Sequence, residues 1–314
     1  MSRPILTVTV NPALDRITTV DRLVFEDRAY IESTTEAAGG RGINAARVLT
    51  SFGASAVAIT TSGRDVGRKF EERLAQDTFG KEIVKIRNAI RINLTISDRQ
   101  GLSIKLNERG PVLSTLEQNR ILKATEKLLP GASWLMLCGS LPPSVDNHFY
   151  TKLIEMAAKH KVETLLDTDG DALLHALEAH PTLVKPNQSE AERLLNTALI
   201  TRSQLIDAVG KIKTLGAKSV VLSLGSRGAI AATSSEGVLE ITPPAVDALC
   251  PIGAGDAMSA AIVWSLEKGD SLGEALRWGV AAGTASALLP GIELANLEQT
   301  EKIYEQTSIT RVIV

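Results

Sequence analysis

Residues 251–258 read Pro251-Ile252-Gly253-Ala254-Gly255-Asp256-Ala257-Met258, and a helix-forming run continues to Leu266. A turn-rich approach, Pro243-Pro244 through Cys250-Pro251, leads into them. Small residues, then an acid, then a helix describe a tight turn that delivers a helix N-terminus. The first N–H groups of a helix lack intrahelical acceptors, and with the aligned peptide dipoles they carry about half a positive charge. Glycine lets a ligand come close to that backbone, so the arrangement suits an anion, phosphate above all. Asp256 stands at the mouth of this site, where a carboxylate can take a proton from an attacking hydroxyl. The same residues also fit a glycine turn opening an ordinary helix of an α/β fold, and the motif is too short to decide between the two.

Working outward, the chain from Ser55 onward alternates strand and helix. Apolar runs such as 56–60, 134–137, 163–167, 183–185 and 219–223 are separated by helical segments near 67–77, 116–129 and 147–159 and by two helices between 188 and 215. Continuous apolar strands between helices mean a parallel sheet covered on both faces. Ala229–Thr233 and Val238–Thr242 read as an antiparallel hairpin at one edge. The segment 271–289 is a helix of unusually small residues, including Ala282 and Gly283, which permits close packing or leaves room for a flat ring.

The N-terminal third departs from this rhythm. Ile5–Val10 is a strong first strand and does not read as a signal peptide. It ends at Asn11-Pro12-Ala13-Leu14-Asp15, where ligands of open α/β sheets bind, and Asp15 there is equally a polyol acceptor or a turn-stabilising acid. Segment 17–36 holds short β-like pieces between charged turns. Segment 92–106 is a hairpin around Ser97-Asp98-Arg99-Gln100-Gly101. Together they predict a small separate sheet, about 16–36 and 91–107, that covers the site, a second subunit, or both, since such a sheet is marginal alone. Between them Gly39-Gly40-Arg41-Gly42-Ile43-Asn44 again places glycines before a helix, with Asn44 able to donate and accept.

The 314 residues, 44% hydrophobic but only 4% aromatic, allow one large α/β domain with an aliphatic core. A net charge of −2 gives no reason to expect nucleic acid or membrane as a partner. No apolar run approaches a membrane span. Cys138 and Cys250 read as free thiols of a reducing, cytoplasmic setting. The histidines at 148, 160, 175 and 180 show no metal-ligand spacing and read as surface or helix-end residues.

Joined in order, these stretches resemble the PfkB (ribokinase-like) carbohydrate kinase family. Gly39-Gly40-Arg41-Gly42-Ile43-Asn44-Ala45-Ala46 and Gly253-Ala254-Gly255-Asp256 are similar to its two signatures. Asn11–Asp15, Arg91-Ile92-Asn93, Gly139-Ser140-Leu141-Pro142-Pro143, Lys185-Pro186-Asn187-Gln188 and Ser223-Leu224-Gly225 fit the phosphosugar branch of 1-phosphofructokinases, tagatose-6-phosphate kinases and minor 6-phosphofructokinases.

The resemblance implies a ribokinase-like three-layer α/β/α sandwich, mostly parallel, with a small β-sheet lid, in a single domain spanning 1–314. It implies transfer of the γ-phosphoryl group of ATP, with Mg²⁺, to a ketohexose phosphate. The leading expectation is fructose 6-phosphate to fructose 1,6-bisphosphate. The alternatives are the other two branch activities, a kinase of a free sugar, and a non-catalytic sensor. By the same resemblance Asp256 is the base, and the Gly253, Ala254 and Gly255 turn gives an anion hole with the N–H groups of residues 254–256. Asp15, Gly39, Gly40, Asn44, Asn93 and Ser140 bind sugar, while Arg28 and Arg91 clamp its phosphate. Lys185, Asn187, Ser223, Gly225, Gly228, Ala282 and Gly283 bind the nucleotide, and Asn187 and Glu190 hold Mg²⁺, mostly through water. The chain departs from the branch at Cys250-Pro251-Ile252, at Arg41 where lysine is usual, and at Tyr30. The exposed lid predicts a homodimer, burying Ile17, Val20, Ile31, Leu94 and Ile96.

Overall fold

The computed structural model describes residues 3–24, 26–233 and 235–312. In chain order the elements are β1 (Ile5–Thr9), β2 (Ala13–Val20), β3 (Ile31–Gly39), α1 (Arg41–Ser51), β4 (Ala56–Ser62), α2 (Arg64–Leu74), β5 (Gly80–Lys85), β6 (Arg91–Asp98) and β7 (Ser103–Asn107). Then come α3 (Thr115–Leu128), β8 (Trp134–Cys138), α4 (Phe149–Lys159), β9 (Glu163–Asp167), α5 (Gly170–Leu177), β10 (Leu183–Val184), α6 (Gln188–Leu195), α7 (Arg202–Thr214) and β11 (Ser219–Ser223). The chain finishes with β12 (Ala229–Ala232), β13 (Val238–Thr242), α8 (Ala254–Glu267), α9 (Leu272–Ala287), α10 (Leu297–Tyr304) and β14 (Ser308–Val312).

The main sheet runs β14-β13-β12-β11-β10-β9-β8-β1-β4-β5, and the seven strands from β11 to β5 are parallel. β1 and β8 are buried along their whole length, β8 with an unbroken apolar sequence and β1 with Thr7 and Thr9 among apolar residues, as expected of strands that helices cover on both faces. α1, α8, α9 and α10 pack together as one layer, and α3 to α7 pack in succession as the other. From β1 the chain moves to β4 on one side, and from β8 to β9 on the other. That reversal opens a crevice beyond the carboxyl ends of β1 and β8, the place where such sheets take ligands.

A second sheet, β3-β2-β6-β7, is built from the two N-terminal excursions. β2 pairs with β3 antiparallel and with β6 in parallel, with Asp15 beside Asn93 and Ala13 beside Arg91. Side chains of paired residues share a face. One face therefore carries Arg91, Asn93 and Asp15, and the other carries Leu94 and Ile96 with Ile104 and Leu106 of β7. Ile104 and Leu106 are exposed. Ile17, expected among the dimer-facing residues, points with Asp15 instead.

Three readings need correction. The β12–β13 hairpin is not the sheet edge, because β14 pairs outside it. α5, absent from the sequence reading, fills 170–177. β3 is longer than the short β-like pieces expected in 17–36 and runs unbroken into Gly39, so its end and the start of α1 are separated only by Gly40 at φ 139°.

Candidate active site

The approach to α8 is a reverse turn. Ala254 N donates to Pro251 O at 3.3 Å, and Gly253, at φ 79° and ψ −10°, has the geometry of the third residue of a type II turn. A side chain at Gly253 would also strike Leu294 Cδ2 at 2.7 Å. The expected anion hole needs revision here. Asp256 N donates to Gly253 O and Ala254 N is taken by Pro251 O, so of the three N–H groups only that of the exposed Gly255 makes no backbone bond.

Asp256 lies in the first turn of α8, half-buried. Its Oδ2 accepts from Asn44 Nδ2 at 2.8 Å. Burial pushes its carboxyl up to about 7, and the nearby Asp167 charge pushes the same way; Asn44, Arg41 and Lys185 pull down. An acid poised there is half ionised near neutrality, which suits a general base. Asn44 Oδ1 accepts from Arg47 Nη1 at 3.0 Å, and the amide keeps a second N–H and a second lone pair that a sugar hydroxyl can meet. Arg47 also donates to Ala38 O at 2.7 Å and pairs with Asp77. Asn44 therefore positions the base, and Arg47 positions Asn44.

Behind Asp256 is a buried ionic cluster that the sequence reading missed. Asp167, at the end of β9, pairs with Lys185 Nζ at 3.0 Å and Arg41 Nη1 at 2.8 Å, and accepts from Ser259 Oγ at 2.9 Å. Burial would raise its carboxyl, but these cations and hydrogen bonds hold it below the usual range. Arg41 also reaches Glu190 Oε1 at 3.3 Å and Asp169 Oδ2 at 3.6 Å. Lys185 thus serves Asp167, and its Nζ lies 3.6 Å from where a side chain on Gly255 would begin.

On the lid side, Asp15 Oδ1 accepts from Asn93 Nδ2 at 2.9 Å. Burial raises the Asp15 carboxyl, while Asn93, Arg91 and Arg47 oppose the shift. Gly39 makes room for it, since a Cβ would sit 1.9 Å from Asp15 Oδ2. Gly40 cannot carry a side chain either, meeting Thr9 Cγ2 at 2.7 Å. Ser140 is reached by Asn11 Nδ2 at 3.5 Å. Three buried polar atoms here have no partner: Asn11 Oδ1, Asn93 Oδ1 and Arg91 Nε. Orphaned atoms of this kind are uncommon and ask for a ligand or water.

Arg28 does not join Arg91. Arg91 pairs with Ala13 at one end of β2, whereas Arg28 lies exposed in the turn beyond Val20 at the other end. Seven residues of strand are about 23 Å at about 3.3 Å each, so one chain's pair does not share a phosphate.

On the opposite side an open cleft of about 470 Å³ is lined by Arg41, Asp169, Asn187, Glu190, Ser223 and Gly225, among others. Ser223 bridges to Asn187 across the strand ends. Gly228, at φ 85°, has Ile241 O 2.0 Å from a would-be Cβ and is required for the loop to close. Asn187 and Glu190 form the capping box of α6: Glu190 N donates to Asn187 Oδ1 at 2.9 Å and Asn187 N to Glu190 Oε2 at 2.8 Å. Ala282 is fully buried, and a Cβ on the half-buried Gly283 would sit 3.0 Å from Ala254 O, so α9 lies close against the start of α8 at this point.

A poised carboxylate at a helix N-terminus, with unpartnered buried polar atoms on the lid side and an open polar cleft on the other, fits a phosphotransferase acting on an alcohol. The profile of the pfkB family of carbohydrate kinases matches residues 8–299, and the chain belongs to that family. The fold is accordingly the ribokinase-like sandwich. The chain is 34% identical to the ATP-dependent 6-phosphofructokinase isozyme 2 of Escherichia coli, covering 97% of this chain and 99% of that one. It is 28% identical to the 1-phosphofructokinase of Bacillus subtilis, covering 98% and 99%. Phosphofructokinase-2 from Escherichia coli in complex with fructose-6-phosphate superposes with a TM-score of 0.89 at 33% identity, covering 96% of this chain and 98% of that one.

Proposed function

We propose that the chain transfers the γ-phosphoryl group of ATP to a hydroxyl of fructose 6-phosphate, giving fructose 1,6-bisphosphate. The observation that carries this reading is the set of buried, unpartnered polar atoms of Asn93 and Arg91 beside Asp15, with that of Asn11 near Ser140, donors and acceptors suited to hydroxyls and a phosphate. The sugar hydroxyl gives its proton to Asp256, held by Asn44. Gly255 N–H and the N-terminus of α8 receive the transferring charge. Phosphoryl transfer needs little more than this positioning and charge stabilisation.

ATP occupies the cleft by Ser223, Gly225 and Gly228. Mg²⁺ fits the donors present only through water, since Asn187 Oδ1 and both Glu190 oxygens are engaged within the protein and Mg²⁺ keeps its waters readily. When bound it neutralises phosphate charge. The chain acts as one kinase domain with its lid, in the cytoplasm. Two copies pair through the lid face carrying Leu94, Ile96, Ile104 and Leu106.

ADP release measured with ATP and Mg²⁺ across fructose 6-phosphate, fructose 1-phosphate, tagatose 6-phosphate, fructose and ribose tests the reading. Preference for fructose 6-phosphate is expected. Turnover of free sugars alone overturns the phosphate pocket. The Arg91→Ala variant is expected to raise KM for the phosphosugar about tenfold or more, the worth of a charge-assisted bond of about 1.5–3 kcal/mol.

A further inference from the structure

His148 and His175 are 27 positions apart in sequence, yet their rings lie 4.1 Å apart, tilted by 30°. His148 is the N-cap residue of α4 and His175 sits in the last turn of α5. One ligand atom from each ring and one oxygen of Glu178 lie within 4.8 Å of one another. From this cluster we infer that the chain has a second cation site, separate from the kinase cleft, for a borderline divalent transition metal such as Zn²⁺, Co²⁺ or Ni²⁺.

Three observations carry it. His175 Nδ1 is buried and makes no hydrogen bond, while Glu178 Oε1 stands 3.5 Å away. His148 Nδ1 is held by Asp146 Oδ1 at 3.1 Å, which leaves the other ring nitrogen as a lone-pair donor. A carboxylate on the far nitrogen is how metal-binding imidazoles are commonly oriented. The surrounding charge is negative: Asp146, Glu178 and Asp171 face the rings or their neighbour Asn147, against Lys152 on Asp146 Oδ2 at 3.4 Å. Two imidazoles that touch gain nothing from both being protonated, whereas one metal ion uses both lone pairs.

Two nitrogens and one oxygen leave a fourth position for water, the open tetrahedral arrangement zinc favours. Mg²⁺ and Ca²⁺ prefer oxygen and discriminate against this set. Thr151 Oγ1 donates to His175 O at 3.0 Å, so α4 and α5 are already tied and little reorganisation is needed.

The test is a titration of the full chain with Zn²⁺ against a chromophoric chelator in millimolar Mg²⁺, without nucleotide, repeated with Co²⁺ to read its visible absorption. One equivalent binding at micromolar concentration is expected. The His148→Ala/His175→Ala pair is expected to weaken it at least tenfold, and the milder Glu178→Gln to weaken it less. Circular dichroism and kinase turnover of the double variant show that it is folded. Equal Zn²⁺ affinity in wild type and double variant overturns the site, as does loss of binding in Glu190→Gln, which places the metal in the kinase cleft.

Discussion

The Asp256 carboxyl can be moved without being touched. Burial and the Asp167 charge hold it near 7, while Asn44, Arg41 and Lys185 pull it down. Asp167→Asn removes the like charge and frees Lys185 and Arg41 from their shared partner, so both changes favour ionised Asp256. A neighbouring charge is worth about one pKa unit or more. At pH 6 an acid of pKa about 7 is about one-tenth ionised, and one of pKa about 6 is half ionised. The assay is kcat/KM by coupled ADP release between pH 5 and 9. In wild type it is expected to fall tenfold per unit below about pH 7. In Asp167→Asn the maximum is lower, but the acid limb shifts to lower pH by about one unit. A phosphosugar's own ionisation near 6 appears in both profiles and cancels in their ratio. An acid limb that stays in place, or moves upward, refutes the electrostatic account of the base. The same shift bears on stability. A carboxyl raised in the folded state costs nothing below its unfolded pKa of 3.8, an increasing amount up to about 7, and a constant amount above. Three units correspond to about 4 kcal/mol, an upper bound because the residue is only half-buried. Asp256→Asn is therefore expected to abolish turnover and raise the denaturant midpoint at pH 8, with no gain near pH 4.

Three other perturbations follow from packing. Gly39→Ala puts a methyl group 1.9 Å from Asp15 Oδ2, so sugar KM rises steeply while nucleotide binding by calorimetry is unchanged. Lys185→Met leaves buried Asp167 with Arg41 as its one cation beside the Ser259 hydrogen bond; breaking such a pair costs about 3–5 kcal/mol, read as a lower Tm. Asn187→Ala removes the cap of α6 at about 1 kcal/mol, and its loss of stability is expected in Mg²⁺-free buffer as well.

Much of this was legible in the chain. Strand–helix alternation gave the parallel sheet, and the glycine pairs at 39–40 and 253–255 marked both helix starts of the site, since backbone at φ 139° or 79° leaves few other residues possible. Asp167 escaped because an acid ending a strand looks like any other, although strand ends are where α/β folds keep their ligand groups. Arg47 escaped although it lies three residues from Asn44, on the same helical face. Arg28 was misplaced because two segments of one lid were assumed to meet, and only the pairing register shows which ends adjoin. Ala282 and Gly283 allow close packing or a flat ring, and the closeness of α8 and α9 shows that their small size is at least needed for packing.

The capping box of α6 has an evolutionary implication. Asn187 and Glu190 start a helix whether or not a metal ever arrives. A descendant that lost its reaction would still be under selection to keep both, so finding the pair in a distant sequence testifies to a well-begun helix and only weakly to a working enzyme. Asp256 has the opposite profile, being unfavourable to the fold and useful only to the chemistry, so its loss is the earlier sign of a retired kinase.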